Sequence, residues 1–159
     1  MRNVKKHLSL IIITGVMLTV FVIAQVFGLR LCAVQSGSME PNIPTYSICL
    51  VTTHVEYENV EPGDIVVYVR YDDNARIIHR VIAIVEDGMI TKGDANQTDD
   101  GVSVTPENLY AQYILNIPYA GYVYNFVRTP FGACAVIAVI VLLFSMDFID
   151  DKRKKLNSK

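Results

Sequence analysis

RIIHRVIAIVEDGMITK, residues 76–92, contains the strongest hairpin signal in the chain. It begins with an apolar run from Ile77 to Glu86 that only His79 and Arg80 interrupt. The Asp-Gly pair at 87–88 is favoured in two-residue hairpin turns, and apolar residues suited to a strand follow it. Two such runs joined by so short a turn predict antiparallel β structure.

Further strands are predicted on both sides of this hairpin. Tyr46–Thr53 is rich in β-branched residues, and Asp64–Tyr71 follows a Pro-Gly turn at 62–63. Tyr110–Ile117 indicates another strand. We therefore expect residues 31–130 to form one small, mainly β, antiparallel domain.

Two apolar runs flank this segment. Leu8–Leu29 contains 22 residues without a charge, and Phe131–Met146 contains 16 before Asp147. About 20 apolar residues cross a bilayer as a helix, so we expect a transmembrane helix at each end of the β domain. The first run exceeds the 7–15 apolar residues of a cleaved signal peptide, which favours an uncleaved anchor.

Charge predicts the orientation of these helices. Basic residues precede the first run and follow the second: Arg2, Lys5, Lys6, Lys152, Arg153, Lys154 and Lys155. Such residues stay cytoplasmic, so both termini are expected inside a multi-pass protein of the cell membrane. Residues 31–130 hold five basic and thirteen acidic side chains, a net charge of about −8 that argues against nucleic-acid binding. The predicted organisation is a first helix in 1–30, an external domain in 31–130, a second helix in 131–149 and a basic tail in 150–159.

Ser36-Gly37-Ser38 begins six residues beyond the first apolar run. A hydroxyl nucleophile needs an exposed, well-positioned oxygen and nearby backbone N–H groups, and a preceding glycine permits the tight backbone this requires. Because Ser-Gly-Ser is also a common loop sequence, Ser38 becomes a candidate nucleophile only in combination with other residues.

His79 is the histidine that interrupts an apolar strand, and alternation places it on the same side as Val81, Ala83 and Val85. A histidine in this position is either a hydrogen-bonded core residue or a general base for a serine hydroxyl.

An acidic loop, KGDANQTDDG at 92–101, directly follows the hairpin. Its carboxylates are suited to orienting an imidazolium. Closely spaced Asp and Asn residues also suit calcium, although the spacing does not match an EF-hand, and a solvated turn is the third interpretation.

Four segments in this order resemble the conserved boxes of type I signal peptidases: Ser36–Pro41, Gly63–Val66, His79–Val81 and Lys92–Asp100. The likeness runs from about residue 34 to 122. Most bacterial members have a lysine where this chain has His79. The histidine resembles the endoplasmic-reticulum type, which also includes SipW-like enzymes of spore-forming bacteria.

The resemblance implies a role for each matching residue. Ser38 matches the nucleophile and His79 the general base, while Asp100 and Asp94 match two acids of which one orients the histidine. We prefer Asp100 for that role, although the sequence does not decide between them. The Ser36 hydroxyl and the Ser38 backbone N–H match the groups that hold the oxyanion.

The implied activity is serine endopeptidase cleavage of signal peptides from secreted preproteins, after small residues and without a cofactor. The implied partners are those signal peptides, the lipid bilayer and accessory membrane subunits. Two alternatives are an anchored serine peptidase with other substrates and a catalytically silent anchored binding module. A lysine-based pair would have to use Lys92, which lies beyond the hairpin rather than on the strand of His79.

Overall fold

A computed structural model describes the backbone of residues 2–156 and the side chains of residues 11–142 and 145. The basic side chains that predict cytoplasmic termini, and that of Asp147, lie outside the described residues. The chain divides into two units, Met1–Tyr119 and Ala120–Lys159. Among the described residues, the first unit contains one α-helix, a short 3-10 helix at Tyr57–Asn59 and all of the strands, and the second contains two α-helices.

The first unit is built on one seven-stranded antiparallel sheet with the order β1-β2-β7-β3-β4-β5-β6. Its strands are β1 Leu29–Ala33, β2 Ile48–Thr52, β3 Ile65–Val69, β4 Arg76–Val85, β5 Gly88–Lys92, β6 Ser103–Val104 and β7 Leu109–Ile117. The prediction of a mainly β, antiparallel structure is confirmed.

The predicted hairpin is formed by β4 and β5, paired from Val85 opposite Gly88 to Arg80 opposite Lys92. Its two turn residues are Glu86 and Asp87 rather than the expected Asp87 and Gly88, and Gly88 is the first residue of β5. The register shifts between Val81 and Ala83, so one strand carries an extra residue at this point. His79 and Val81 share a face as predicted, but the shift moves Ala83 to the other face. The expectation that alternation continues beyond Val81 is therefore wrong.

Apolar side chains cover both faces of the sheet. Adjacent residues of β3 belong to different clusters, Val67 to the first and Val66 to the second, because successive side chains of a strand point to opposite faces. The first cluster contains Val34, Met39, Ile43, Cys49, Val51, Val67 and Ala111. The second contains Val60, Val66, Tyr68, Val81, Met89 and Val104. Burial of one large apolar side chain contributes about 1.5–3 kcal/mol, so both faces stabilise the sheet.

Within residues 2–156 three α-helices lie outside the sheet: α1 Arg2–Val26, α2 Ala120–Arg128 and α3 Pro130–Leu156. Gly28 follows α1 with φ of 65°, where a side chain would meet Thr53 Oγ1 at 2.6 Å, and β1 starts at the next residue. Leu29, the last residue of the uncharged run, thus belongs to the sheet.

Within the part of the chain whose side chains are described, no single helix is long and apolar enough to cross a membrane. The pair Ala120–Arg128 and Pro130–Leu142, bent by 91°, meets the requirement of length and composition when the two are taken together.

Candidate active site

Ser38 lies in the segment that connects β1 to β2, and two residues of this segment are buried in the core. Met39 and Ile43 are 0% and 1% exposed, and the Ile43 N–H donates to the Met39 carbonyl at 2.8 Å. The Glu40 carboxylate closes the same segment by accepting from the Thr45 hydroxyl at 2.6 Å and the Thr45 N–H at 3.2 Å. Met39 is therefore fixed in the core, while the preceding residue, Ser38, is only partly buried.

His79 stands between a hydroxyl and a carboxylate. Its Nε2 lies 3.0 Å from Ser38 Oγ, and its Nδ1 lies 2.8 Å and 2.7 Å from the two carboxylate oxygens of Asp100. The histidine is 7% exposed, because β4 carries it on the face that also buries Val81. Ser38, His79 and Asp100 thus form one hydrogen-bonded line.

Asp100 is held by groups of the sheet as well as by His79. Its backbone N–H donates to the Thr91 carbonyl at 3.0 Å, and its Oδ2 accepts from Thr91 Oγ1 at 2.6 Å and Tyr68 Oη at 3.0 Å. Burial acts to raise the pKa of Asp100. The hydrogen bonds from His79, Thr91 and Tyr68, together with the charge of His79, outweigh it and leave the pKa below its usual value. Asp100 is therefore an anion near neutral pH.

Asp94 has different partners, although it belongs to the same loop. Its two carboxylate oxygens accept from Arg80 Nε at 2.8 Å and Arg80 Nη2 at 2.7 Å, and Asn42 Nδ2 donates to it at 2.8 Å. The Arg80 hydrogen bond is the largest cause that lowers the pKa of Asp94. Arg80 also donates to the Gly63 carbonyl at 2.8 Å, so this pair ties the loop to the turn before β3.

The loop contacts the Ser38 backbone directly. The Ala95 N–H donates to the Ser38 carbonyl at 2.8 Å. A Cβ on Gly93 would lie 2.6 Å from the Ser38 carbonyl oxygen and 2.9 Å from His79 Nε2, so only glycine fits there without displacing its neighbours. Gly93 therefore lets the loop close onto the contact between Ser38 and His79.

An open groove of about 470 Å³ adjoins these residues. One wall is formed by the end of β1 and the residues leading to Ser38, and the other by the first half of β4. The lining residues are Ala33, Val34, Gln35, Ser36, Ser38, Arg76, Ile77, Ile78 and His79. Ser36 Oγ lies 3.3 Å from Ser38 Oγ, so two hydroxyls face the same end of the groove.

The family model of signal peptidase, peptidase S26, matches residues 5–114. The chain belongs to this family. Signal peptidase I W of Bacillus subtilis (strain 168) is 38% identical over 92 residues, which are 55% of this chain and 48% of that relative. The signal peptidase complex catalytic subunit SEC11 of Colletotrichum graminicola (strain M1.001 / M2 / FGSC 10212) is 34% identical over 107 residues, 57% of this chain and 59% of the relative. The chain thus spans about half the length of the curated relatives it matches.

Membership of the S26 family agrees with the resemblance drawn from the ordered segments. Of the sequence-predicted site residues, the structure brings together Ser36, Ser38, His79 and Asp100, and it places Asp94 against Arg80 instead. Within the described residues, no group of three or more His, Cys, Asp or Glu side chains is arranged to hold a metal ion.

Sequence analysis assigned no role in the candidate site to Tyr68 or Thr91, and it named Gly93 only as part of the acidic loop. The first two lie in apolar strands where nothing in the local pattern marks a hydroxyl as a partner of the acidic loop. A signal existed for Gly93, because a glycine directly after a strand frequently permits close backbone approach.

Proposed function

We propose that the chain is a membrane-bound serine endopeptidase that removes N-terminal signal peptides from secreted preproteins. The hydrogen-bonded line from Ser38 through His79 to Asp100, at the end of an open groove in a peptidase S26 chain, is the observation that supports this most directly. A serine, an imidazole and a buried carboxylate in this order form the arrangement that activates a hydroxyl for acyl transfer.

The first step is proton transfer from Ser38 to His79. Because Nδ1 faces the Asp100 carboxylate, the proton of the neutral imidazole resides on Nδ1 and leaves Nε2 free to accept from the Ser38 hydroxyl at 3.0 Å. The serine oxygen then attacks the scissile carbonyl, and the imidazolium that forms is stabilised by anionic Asp100. His79 next donates its proton to the departing amine, and water releases the acyl group by the same route.

The developing oxyanion needs donors at the same end of the groove. We assign this role to the Ser38 backbone N–H and the Ser36 hydroxyl, whose oxygen lies 3.3 Å from Ser38 Oγ. Removal of one such donor typically lowers kcat by 10²–10³. Ser36 is therefore expected to act on the transition state.

Asp100, rather than Asp94, is our choice for the orienting acid. The carboxylate of Asp94 is engaged by Arg80 and Asn42, which gives it a role in holding the loop. Lys92 pairs with Arg80 in the hairpin and so lies on the sheet face opposite His79, which argues against a lysine base.

The groove is suited to an extended peptide. Ala33, Val34, Ile77 and Ile78 give its walls shallow apolar surfaces. An extended segment lying between the end of β1 and β4 would hydrogen-bond through its backbone and present alternate side chains to these walls. Small side chains before the cleaved bond fit that space.

The bilayer is the second proposed partner. The uncharged run Leu8–Leu29 and the run that starts at Phe131 are our candidates for transmembrane helices, with both termini cytoplasmic and residues 31–130 outside. Apolar side chains along α1, among them Ile11, Met17, Phe21 and Val26, are exposed and need an apolar environment. The SEC11 relative is by name a subunit of a complex, which makes accessory membrane subunits a further proposal.

Membranes carrying the wild-type chain, Ser38→Ala or Ser103→Ala are to be incubated with a panel of preproteins, and the new N-termini sequenced. We expect cleavage after small residues with the wild type and with Ser103→Ala, which changes a serine of β6 outside the groove, and none with Ser38→Ala.

Each other outcome points elsewhere. Cleavage by Ser38→Ala would exclude Ser38 as nucleophile. Cuts at internal sites alone would favour a serine peptidase with other substrates. Preprotein binding without cleavage by the wild type or either variant would favour a silent binding module.

A further inference from the structure

Three neighbouring strands place three side chains around Asp100. His79 lies on β4, Tyr68 on β3 and Thr91 on β5, and these strands are adjacent in the sheet in the order β3-β4-β5. The registers pair His79 with Val66 and Val81 with Thr91, so Tyr68, His79 and Thr91 all project from one face. The Asp100 carboxylate sits over that face.

We propose that Tyr68 and Thr91 are positioning residues that fix the Asp100 carboxylate against His79. This inference rests on the proposed function, since it concerns how the Ser38 and His79 pair is kept competent. Neither hydroxyl touches Ser38 or the groove, so both act through Asp100 alone.

The two hydroxyls are built into the sheet and cannot move far. Tyr68 is 2% exposed and Thr91 is 0% exposed. Both donate to the same oxygen, Oδ2 of Asp100, at 3.0 Å and 2.6 Å. Together with the N–H of His79 they give this carboxylate three side-chain donors from three strands.

This arrangement restricts rotation of the carboxylate. An aspartate at the end of a loop has two side-chain torsions, and a hydrogen bond from His79 alone leaves room for it to turn toward solvent. Two hydroxyls held by buried strands remove that freedom before substrate binds, which keeps the imidazole in one tautomer and one orientation. Tyr68 remains a donor because burial and the charge of Asp100 raise its pKa to about 12.

Isosteric changes remove each hydroxyl and keep the shape of the core. We expect Tyr68→Phe and Thr91→Val each to lower kcat about tenfold with little change in KM, because a hydrogen bond to a charged group is lost far from the substrate. Thr91→Ser, which restores the hydroxyl, recovers most of the rate lost in Thr91→Val. Tyr57→Phe loses a hydroxyl that donates to the Val104 carbonyl at 2.9 Å, and is the control with an unchanged rate.

The decisive comparison is made in the Asp100→Ala background. If Tyr68 and Thr91 act through Asp100, Tyr68→Phe and Thr91→Val cause no further loss of residual cleavage there. If the same tenfold losses persist without the carboxylate, the hydroxyls serve the fold of the sheet and the proposal is overturned. If Tyr68→Phe and Thr91→Val cleave at the wild-type rate when Asp100 is intact, the proposal is overturned as well.

A second measurement does not depend on cleavage. In protein labelled with ¹⁵N-histidine and held in detergent micelles, the Nδ1–H proton of His79 should exchange slowly with water in the wild type. It should exchange at least about tenfold faster in the Tyr68→Phe, Thr91→Val double variant, because its acceptor is less firmly placed. An unchanged exchange rate contradicts the positioning role even where no preprotein is cut. Absence of wild-type cleavage bears on the proposed function alone.

Discussion

His79 and Arg80 are neighbours on β4 that point to opposite faces of the sheet and make different contacts. His79 points to one face and contacts Ser38 and Asp100, whereas Arg80 points to the other and contacts Asp94 and the Gly63 carbonyl. Each residue therefore binds one acid of the same loop. Because successive side chains of a strand point to opposite faces, β4 contacts the acidic loop at two separate places, one on each face of the sheet.

The two attachments differ in burial and in chemistry. The side chains of His79 and Asp100 are 9% and 10% exposed, and those of Arg80 and Asp94 are 30% and 12% exposed. Arginine stays protonated, so its pair with Asp94 is charged wherever Asp94 is ionised, and it holds position. A neutral imidazole can accept a proton from a hydroxyl and donate it again, so the pair of His79 with Asp100 is suited to a reaction. Proximity of an acid to the site is thus a weaker guide to its role than the strand face it meets.

The largest expected effect separates the two acids. Asp100→Asn should lower kcat by about 10⁴, because an amide cannot hold the required tautomer of His79 or stabilise its charged form. Asp94→Asn can keep one acceptor oxygen at the position of Oδ2, facing Arg80 Nη2 and Asn42 Nδ2, and loses the acceptor for Arg80 Nε; it should lower kcat by about tenfold or less. Initial rates of preprotein cleavage at saturating substrate measure both. Equal losses would show that the two faces of β4 are not functionally distinct.

A smaller loss of kcat is expected from a change at Gly93, where the acidic loop approaches Ser38 and His79. Gly93→Ala places a Cβ 2.6 Å from the Ser38 carbonyl oxygen and must push the loop or the serine away. A displacement of about 1 Å at a reacting group is enough to lower kcat by about 10². The matched control is Gly15→Ala in α1, where the added carbon meets nothing within 4 Å. Cleavage by Gly93→Ala at the control rate would show that this closure is not needed.

Sequence patterns predicted the centre of the sheet better than its edges. The Asp-Gly turn and the apolar run fixed the β4–β5 hairpin, and β2, β3 and β7 appeared within two residues of their predicted limits. Edge strand β1 was missed because its first residue, Leu29, ends the uncharged run assigned to a membrane helix, and the four residues Arg30–Ala33 are too few to show a strand pattern. The two-residue strand β6 is too short to carry a pattern.

The candidate site was predictable in its residue types and not in its geometry. His79 stood out because it is a polar residue within an apolar strand, and Ser38 stood out only in combination with His79 and the acidic loop. The choice between Asp94 and Asp100 depended on the path of a loop, which local sequence does not specify. Tyr68 and Thr91 were beyond prediction because their hydroxyls gain a partner only when three strands are in register.

The smallest expected effect is on the thermal stability of the fold and its dependence on pH, and it tests only the ion pair between Arg80 and Asp94. The hydrogen bond from Arg80 is the largest cause that lowers the pKa of Asp94, so the folded pKa lies below the ordinary value of about 3.9. The pair therefore stabilises the fold fully above pH about 4, and this contribution is lost as pH falls through the folded pKa. Since Arg80 is partly exposed, we expect about 1 kcal/mol, or a Tm lower by about 2–4 °C for Asp94→Asn at pH 7.

The difference between Asp94→Asn and wild type should shrink as the pH is lowered through the folded pKa of Asp94, because below it Asp94 is protonated in both states of the wild type. Asp73→Asn breaks a matched pair with Arg70 whose side chains are 45% and 50% exposed, and is expected to leave Tm unchanged. Circular dichroism melts of the full chain in detergent, taken from pH 7 to 2.5, provide the measurement. A Tm difference that stays constant over this range would mean that the charge of Asp94 does not hold the loop. The contrast between the two faces of β4 would then rest on shape alone.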